Sequence, residues 1–240
     1  MKSSIGGSTK YQDLESELQK LKAAGYDFAE LAIGSNKAFE FKLNTLRDII
    51  PILSGHLPEI DYQKEDIERC KRFIETLSDQ GLHLFVIHLF SQNLQTKDNF
   101  DLKIKVLNEL ADFAKSRDSI LVLENTEEDL MTLKTAFKEI PSIYFCLDIG
   151  HANLIPIENY SINLINNFGR ILKHIHIHDN VGGDSEKHDL HLPIGDGNIN
   201  FKPIFEKLQE IKYSGNITIE LYNPDEDSRI IGIKRVRELI

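Results

Sequence analysis

Residues 172–178 read LKHIHIH, with histidine and isoleucine alternating at period two. A β-strand sends successive side chains to opposite faces, so His174, His176 and His178 share one face and Ile175 and Ile177 the other. Isoleucine suits a face covered by helices, which leaves the imidazoles pointing into the interior of the sheet. The segment therefore predicts a polar site inside an α/β architecture.

Outward from it, short apolar runs alternate with amphipathic stretches along the whole chain. Strands are expected at 3–6, 27–33, 51–57, 83–89, 119–124, 143–148, 172–178 and 216–221. Helical spacing joins Leu14, Leu18 and Leu21; Ile67, Phe73, Ile74 and Leu77; Leu102, Val106, Leu107, Leu110 and Phe113; and Ile230, Ile231, Ile233, Val236 and Leu239. Eight strands and eight helices over 240 residues give about 30 residues per unit, the size of a strand–helix repeat. No Pro/Gly/Ser-rich linker divides the chain, so residues 1–240 read as one α/β domain, a single (β/α)8 barrel of the TIM type. A doubly wound open sheet is the alternative.

The same parity argument turns Ile120, Val122 and Glu124 inward, and likewise Tyr144, Cys146 and Asp148. Ile217 and Ile219 take the outer face, leaving Thr218 and Glu220 inside. Six consecutive strands thus end in a ligand-type side chain: His56, His88, Glu124, Asp148, the histidines of 174–178, and Glu220. In a parallel barrel those ends meet at one mouth. His151 follows in DIGHAN, and Asp189 and His191 lie in a polar loop, Asn180 to Asn200, that follows the seventh strand and lacks helical period.

Converging carboxylates repel unless a cation joins them. Mixed imidazole and carboxylate donors suit Zn2+, Mn2+ or Fe2+ over Ca2+ or Mg2+. The nine candidates are His56, His88, Glu124, Asp148, His151, His176, Asp189, His191 and Glu220, enough for about two or three ions at ordinary coordination numbers. His83 and His188 read as surface residues, and His174 as hydrogen-bonded lumen packing. His178 faces the mouth, and its pattern leaves open whether it binds there or supports the ligands. Cys70 and Cys146 read as fillers, and Asp179 and Asn180 as loop anchors. Asn125 and Asn223 are expected to orient ligands. Gly195-Asp196-Gly197 does not fit a phosphate loop; it turns the chain toward a helix on which Phe201 docks.

Composition sets further bounds. Hydrophobic residues at 41% and charged residues at 28% exclude wholesale disorder, and a net charge of −10 disfavours nonspecific binding to nucleic acid or membrane surfaces. Two cysteines offer no disulfide framework, and the N-terminus has no secretory core, so a reducing cytoplasm is the expected compartment.

VLENT at 122–126, CLDIGHAN at 146–153, HIHDN at 176–180, DLH with GDGNI within 189–199, and IELYNPD at 219–225 resemble the xylose isomerase-like barrel superfamily, and within it the endonuclease IV (family 2 AP endonuclease) branch most. That resemblance implies three zinc ions. His56, His88 and Glu124 would hold the first. Glu124 would bridge to a second, completed by Asp148, His176 and Glu220, and His151, Asp189 and His191 would hold the third. It also implies phosphodiester hydrolysis at abasic DNA sites. The chain lacks tryptophan and a basic-aromatic loop that could open a duplex, and the segment after His56 is acidic. The alternative is a one-metal sugar or sugar-phosphate isomerase/epimerase, similar at Glu124, Asp148, His176 and Glu220, in which Glu124 and Glu220 move the proton. A metal-binding barrel without turnover is the third reading. The ligand set tilts the first expectation to hydrolysis, on a smaller substrate than duplex DNA; the short loops tilt it toward isomerisation.

Overall fold

The computed structural model describes residues 2–9, 13–33, 42–89, 99–183, 186–222 and 224–240. The strands are β1 (Ile5–Ser8), β2 (Phe28–Ala32), β3 (Ile52–His56), β4 (Leu84–His88), β5 (Ile120–Glu124), β6 (Ile143–Asp148), β7 (Leu172–Ile177) and β8 (Asn216–Ile219). All neighbouring pairs are parallel, and β1 closes on β8, with Gly6 beside Thr218. The closed (β/α)8 barrel expected from the sequence is what forms.

Two hydrophobic layers separate as the parity predicts. Leu84, Ile120 and Tyr144 pack with Val86, Val122 and Cys146 in a small cluster of their own, the filling of the lumen. Ile175, Ile177, Ile217 and Ile219 instead join the large core between the strands and the helices. That outer core takes Leu18 and Leu21 from α1 (Leu14–Ala24), Phe73, Ile74 and Leu77 from α3 (Lys64–Ser78), and Val106, Leu107 and Leu110 from α4 (Phe100–Ser116).

Three expectations shift. The first strand is Ile5–Ser8 rather than 3–6, because its glycines are demanded by close approach: a Cβ on Gly6 would overlap the Phe28 ring, and one on Gly7 would overlap Leu21. A strand so constrained cannot carry the β-branched residues that normally announce one. Nine α-helices are present among the described residues instead of eight. α2 is Leu43–Arg47, α5 Leu130–Glu139, α7 Tyr160–Phe168 and α8 Phe201–Glu210, and the addition is the short α6, Ile149–Leu154. Its start is fixed by the Asp148 carboxylate, which accepts the His151 backbone N–H at 2.7 Å. Finally, α9 (Glu226–Leu239) buries Arg229, Gly232, Ile233 and Val236, while Ile230 and Ile231 stay exposed; Leu102 is likewise exposed on α4.

Arg229 explains the rotation of α9. Its guanidinium donates to Glu17 at 2.7 Å across the contact between α1 and α9, where first and last helices meet. Both side chains are less than a tenth exposed. Among the described residues no helix is long and apolar enough to cross a membrane.

Glu17→Ala strands a buried guanidinium and should cost about 3 kcal/mol, read as a lowered midpoint in denaturant unfolding. The double replacement Glu17→Leu/Arg229→Met should recover most of that loss. A single variant as stable as the parent would show that the pair does not hold the seam.

Candidate metal centre

The mouth is assembled by strands that end in register. β4 and β5 pair with His88 beside Glu124, and β6 and β7 pair with Asp148 beside His176. His56 ends β3, and Glu220 follows β8, its N–H bonded to the Ile177 carbonyl. All nine expected ligands line this one end, and Glu124 is their hub. It is fully buried. Its Oε2 lies 3.2 Å from His56 Nε2, 3.1 Å from His88 Nε2 and 3.1 Å from His176 Nδ1, and its Oε1 lies 3.2 Å from His151 Nδ1.

The donors sort into overlapping groups. His56, His88 and Glu124 form a trio, with the two imidazole Nε2 atoms 3.2 Å apart. Glu124, Asp148, His176 and Glu220 each present an atom within 4.8 Å of the others. A further quartet, meeting the same limit, is His151, His178, Asp189 and His191.

His178 is therefore more than a supporting residue. Its Nε2 stands 3.3 Å from Asp148 and 3.6 Å from Asp189. Its ring fits only because residue 150 is glycine: a Cβ there would fall inside the imidazole. The ring stacks on His191 at 3.7 Å, and His191 stacks on the exposed Tyr222 at 4.0 Å. His191 itself holds φ of 44°, a left-handed conformation costing about 1–2 kcal/mol.

The loop after β7 is built rather than structureless. The buried Asp179 carboxylate accepts the N–H groups of Asn180, Gly195 and Ile199, and its backbone pairs with Leu192. Asn180 donates to the Gly150 carbonyl. A Cβ on Gly197 would strike the Asn180 carbonyl, so the glycine permits this closure. Glu186–His188 forms a single 3-10 turn.

Asn125 bonds both to the backbone N–H and to the carbonyl of Asp148, so it fixes the strand that carries the ligand rather than the carboxylate. His174 and Cys146 are lumen residues, Cys70 is buried on α3, His83 is exposed, His188 is partly exposed, and Phe201 is buried at the start of α8, as expected. Asn223 lies outside the described residues. Glu30 on β2 escaped the sequence reading. It lies at the floor of the mouth, fully buried, and contacts both His174 and His176. The signal was an acid, Glu30, flanked on both sides by the apolar residues of FAELAI.

Several buried carboxylate oxygens and imidazole nitrogens here lack a hydrogen-bond partner: Glu30 Oε1, Glu124 Oε1, Asp148 Oδ2, both ring nitrogens of His176, His178 Nε2, Asp189 Oδ1 and His191 Nδ1. Buried polar atoms are seldom left so. Lone pairs of carboxylate and imidazole converging without partners fit divalent cations of the borderline class.

The electrostatics agree. Burial pushes the His56 imidazole down, but its bond to Glu124 and the charges of Glu124 and Glu220 reverse that, raising its pKa to about 9. Burial raises Asp148, and the His151 and His178 charges overcome it, leaving about 2. A proton on His56 is thus favoured where a bound cation would otherwise place positive charge.

The model of one family spans residues 18–239. The chain is a xylose isomerase-like TIM barrel. A solved D-tagatose 3-epimerase-like protein superposes with a TM-score of 0.82 at 26% identity, covering 98% of this chain and 96% of that one. The D-allulose 3-epimerase of a Methylomonas species gives a TM-score of 0.77 at 15% identity, covering 100% of this chain and 98% of that one. Uncharacterized protein MJ1311 of Methanocaldococcus jannaschii is 36% identical over 135 residues, 51% of this chain and 44% of its own length. The chain thus spans about half the length of the curated relatives it matches. The structural neighbours of this xylose isomerase-like barrel are mostly named as sugar epimerases.

Metal uptake by this site must displace protons. Calorimetric titration with Zn2+ in buffers of different ionisation enthalpy should show net proton release at pH 7, and apparent affinity should fall as pH drops from 9 toward 6. Affinity independent of pH over that range would contradict the arrangement.

Proposed function

We propose that this chain is a divalent-metal-dependent epimerase or isomerase of a small, unphosphorylated sugar. The observation that carries the reading is the convergence of Glu124, Asp148, His176 and Glu220 from the ends of β5–β8 to within 4.8 Å, a four-donor set that leaves positions open for substrate. These four residues would hold the ion. When bound, it supplies Lewis-acid polarisation of a carbonyl and its neighbouring hydroxyl.

The rest is done by the chain. Of Glu124 and Glu220, one removes the proton from the carbon beside the carbonyl, and the electron pair moves toward that carbonyl. The other returns a proton to the opposite face, so the carbon is inverted and nothing is gained or lost. His56 and His88 hold Glu124 from the rim, and His151 holds its other oxygen.

The cavity supports a small polar substrate. Its volume is about 250 Å³, below the roughly 300–1,000 Å³ of sites for drug-sized ligands. Among the described residues lining it there is no Lys or Arg to neutralise a phosphate, while Glu59, Asp189 and Glu220 add negative charge. That argues against DNA and against a sugar phosphate. Structural neighbours named as a D-tagatose 3-epimerase-like protein, a D-allulose 3-epimerase and an L-ribulose 3-epimerase support a ketose.

One observation favours the endonuclease IV-like hydrolase as a second reading: the additional quartet around Asp189 has no role in one-metal epimerisation. Metal content and turnover separate the two. With Mn2+, Co2+ or Zn2+ added, the purified protein should convert a ketose to its 3-epimer, followed by NMR. Glu124→Gln and Glu220→Gln should each lose about 10²–10⁴-fold in rate. Asp189→Ala and His191→Ala should retain turnover. Cleavage of an abasic-site duplex, abolished by those last two variants and unaccompanied by ketose turnover, would replace this reading with the hydrolase.

A further inference from the structure

We propose that Glu30 is a positioning residue that fixes which nitrogen of His176 faces the Glu124, Asp148 and Glu220 oxygens. This rests on the metal-binding part of the reading above and is independent of the substrate.

Glu30 sits in the middle of β2 with no exposed surface, in an otherwise apolar strand. A carboxylate so placed needs charge-assisted partners to offset lost hydration. Its Oε2 is saturated: Ser54 Oγ donates at 2.5 Å, Thr218 Oγ1 lies at 3.5 Å, and His174 Nε2 lies at 2.8 Å. Its Oε1 stands 2.9 Å from His176 Nε2, at ion-pair distance but not aligned as a hydrogen bond, and neither atom has a hydrogen-bond partner among the described residues. The other nitrogen, His176 Nδ1, lies 3.1 Å from Glu124 and 3.6 Å from Glu220.

A neutral imidazole carries one proton, and the nitrogen without it holds the lone pair. With the proton on Nε2 and directed at Glu30, the lone pair of Nδ1 points at the three carboxylates and is free for a cation. With the proton on Nδ1, the ligand face would present a donor, and Glu30 Oε1 would face a lone pair on Nε2. A carboxylate behind a metal-ligating histidine fixes the tautomer and makes the ring a better ligand. Ser54 and Thr218 contribute by occupying the far oxygen, which leaves Oε1 committed to His176.

The test uses zinc-loaded full-length protein with 15N-labelled histidine, and compares the parent with Glu30→Gln, Glu30→Asp and Glu30→Ala. Folding of each is checked by circular dichroism. In the parent, two-bond 15N–1H correlations should show His176 protonated at Nε2 and bound through Nδ1. Competition with a chelating dye should show zinc affinity reduced about 10–100-fold in Glu30→Ala. Glu30→Gln, which keeps an acceptor oxygen, should restore part of the loss.

Zinc bound through Nε2 of His176 would overturn the proposal. So would a folded Glu30 variant of parental affinity and unaltered His176 resonances, or an extra ion lost on replacing Glu30 or His174, since Glu30 would then be a ligand itself. A parent chain that binds no zinc at all would defeat the metal reading, and this inference with it.

Discussion

A carboxylate stripped of water at the end of β5 has to be surrounded by polar partners, and four imidazoles from four different elements surround Glu124. That demand ties the molecule together. β3, β4, β7 and α6 must all deliver a ring to the same point, which is possible only when the strands run parallel and close into a cylinder. The remaining polar groups follow from it. Three of these rings meet an oxygen at the second nitrogen: Glu30 lies beside His176 Nε2, Asp189 beside His151 Nε2, and the Leu57 carbonyl beside His56 Nδ1.

Much of this could be read from the chain because β5, β6 and β7 obey strict alternation. In Ile120, Val122 and Glu124, or Tyr144, Cys146 and Asp148, inward-facing filler leads to a ligand at the top, and the pleat alone places them. Legibility failed where a local rule was overridden. β1 reads poorly because Phe28 and Leu21 occupy the space its side chains would need. The isoleucine pair of α9 points outward because the Arg229–Glu17 contact sets the rotation of the helix. Glu30 was passed over because a lone acid amid apolar neighbours does not resemble a ligand motif. The role of His178 depends on Gly150, twenty-eight positions earlier in the chain, and no periodicity connects them. Sorting nine ligands into groups needed distances between loops, which spacing along the chain does not encode.

The two functional readings share most of their atoms. What separates them is the environment of those atoms. A narrow acidic cavity lacking Lys or Arg among its described lining residues is hostile to a polyanion and accommodating to a polyol, whose hydroxyls can bond to carboxylates and imidazoles alike. The extra quartet around Asp189 also ties the loop from Asp179 to Leu192 back onto α6, through His151, whatever reaction is performed.

Val86, Val122 and Cys146 plug the lumen one layer below the ligands, with Leu84, Ile120 and Tyr144 beneath them. The barrel thus resembles a vessel whose doorway is the rim of strand ends, where His56, His88 and Glu220 line the cavity. The lengths of the surrounding loops govern which molecules enter and how quickly they leave. A lineage could retune both by editing the rim while leaving the cork and the staves untouched.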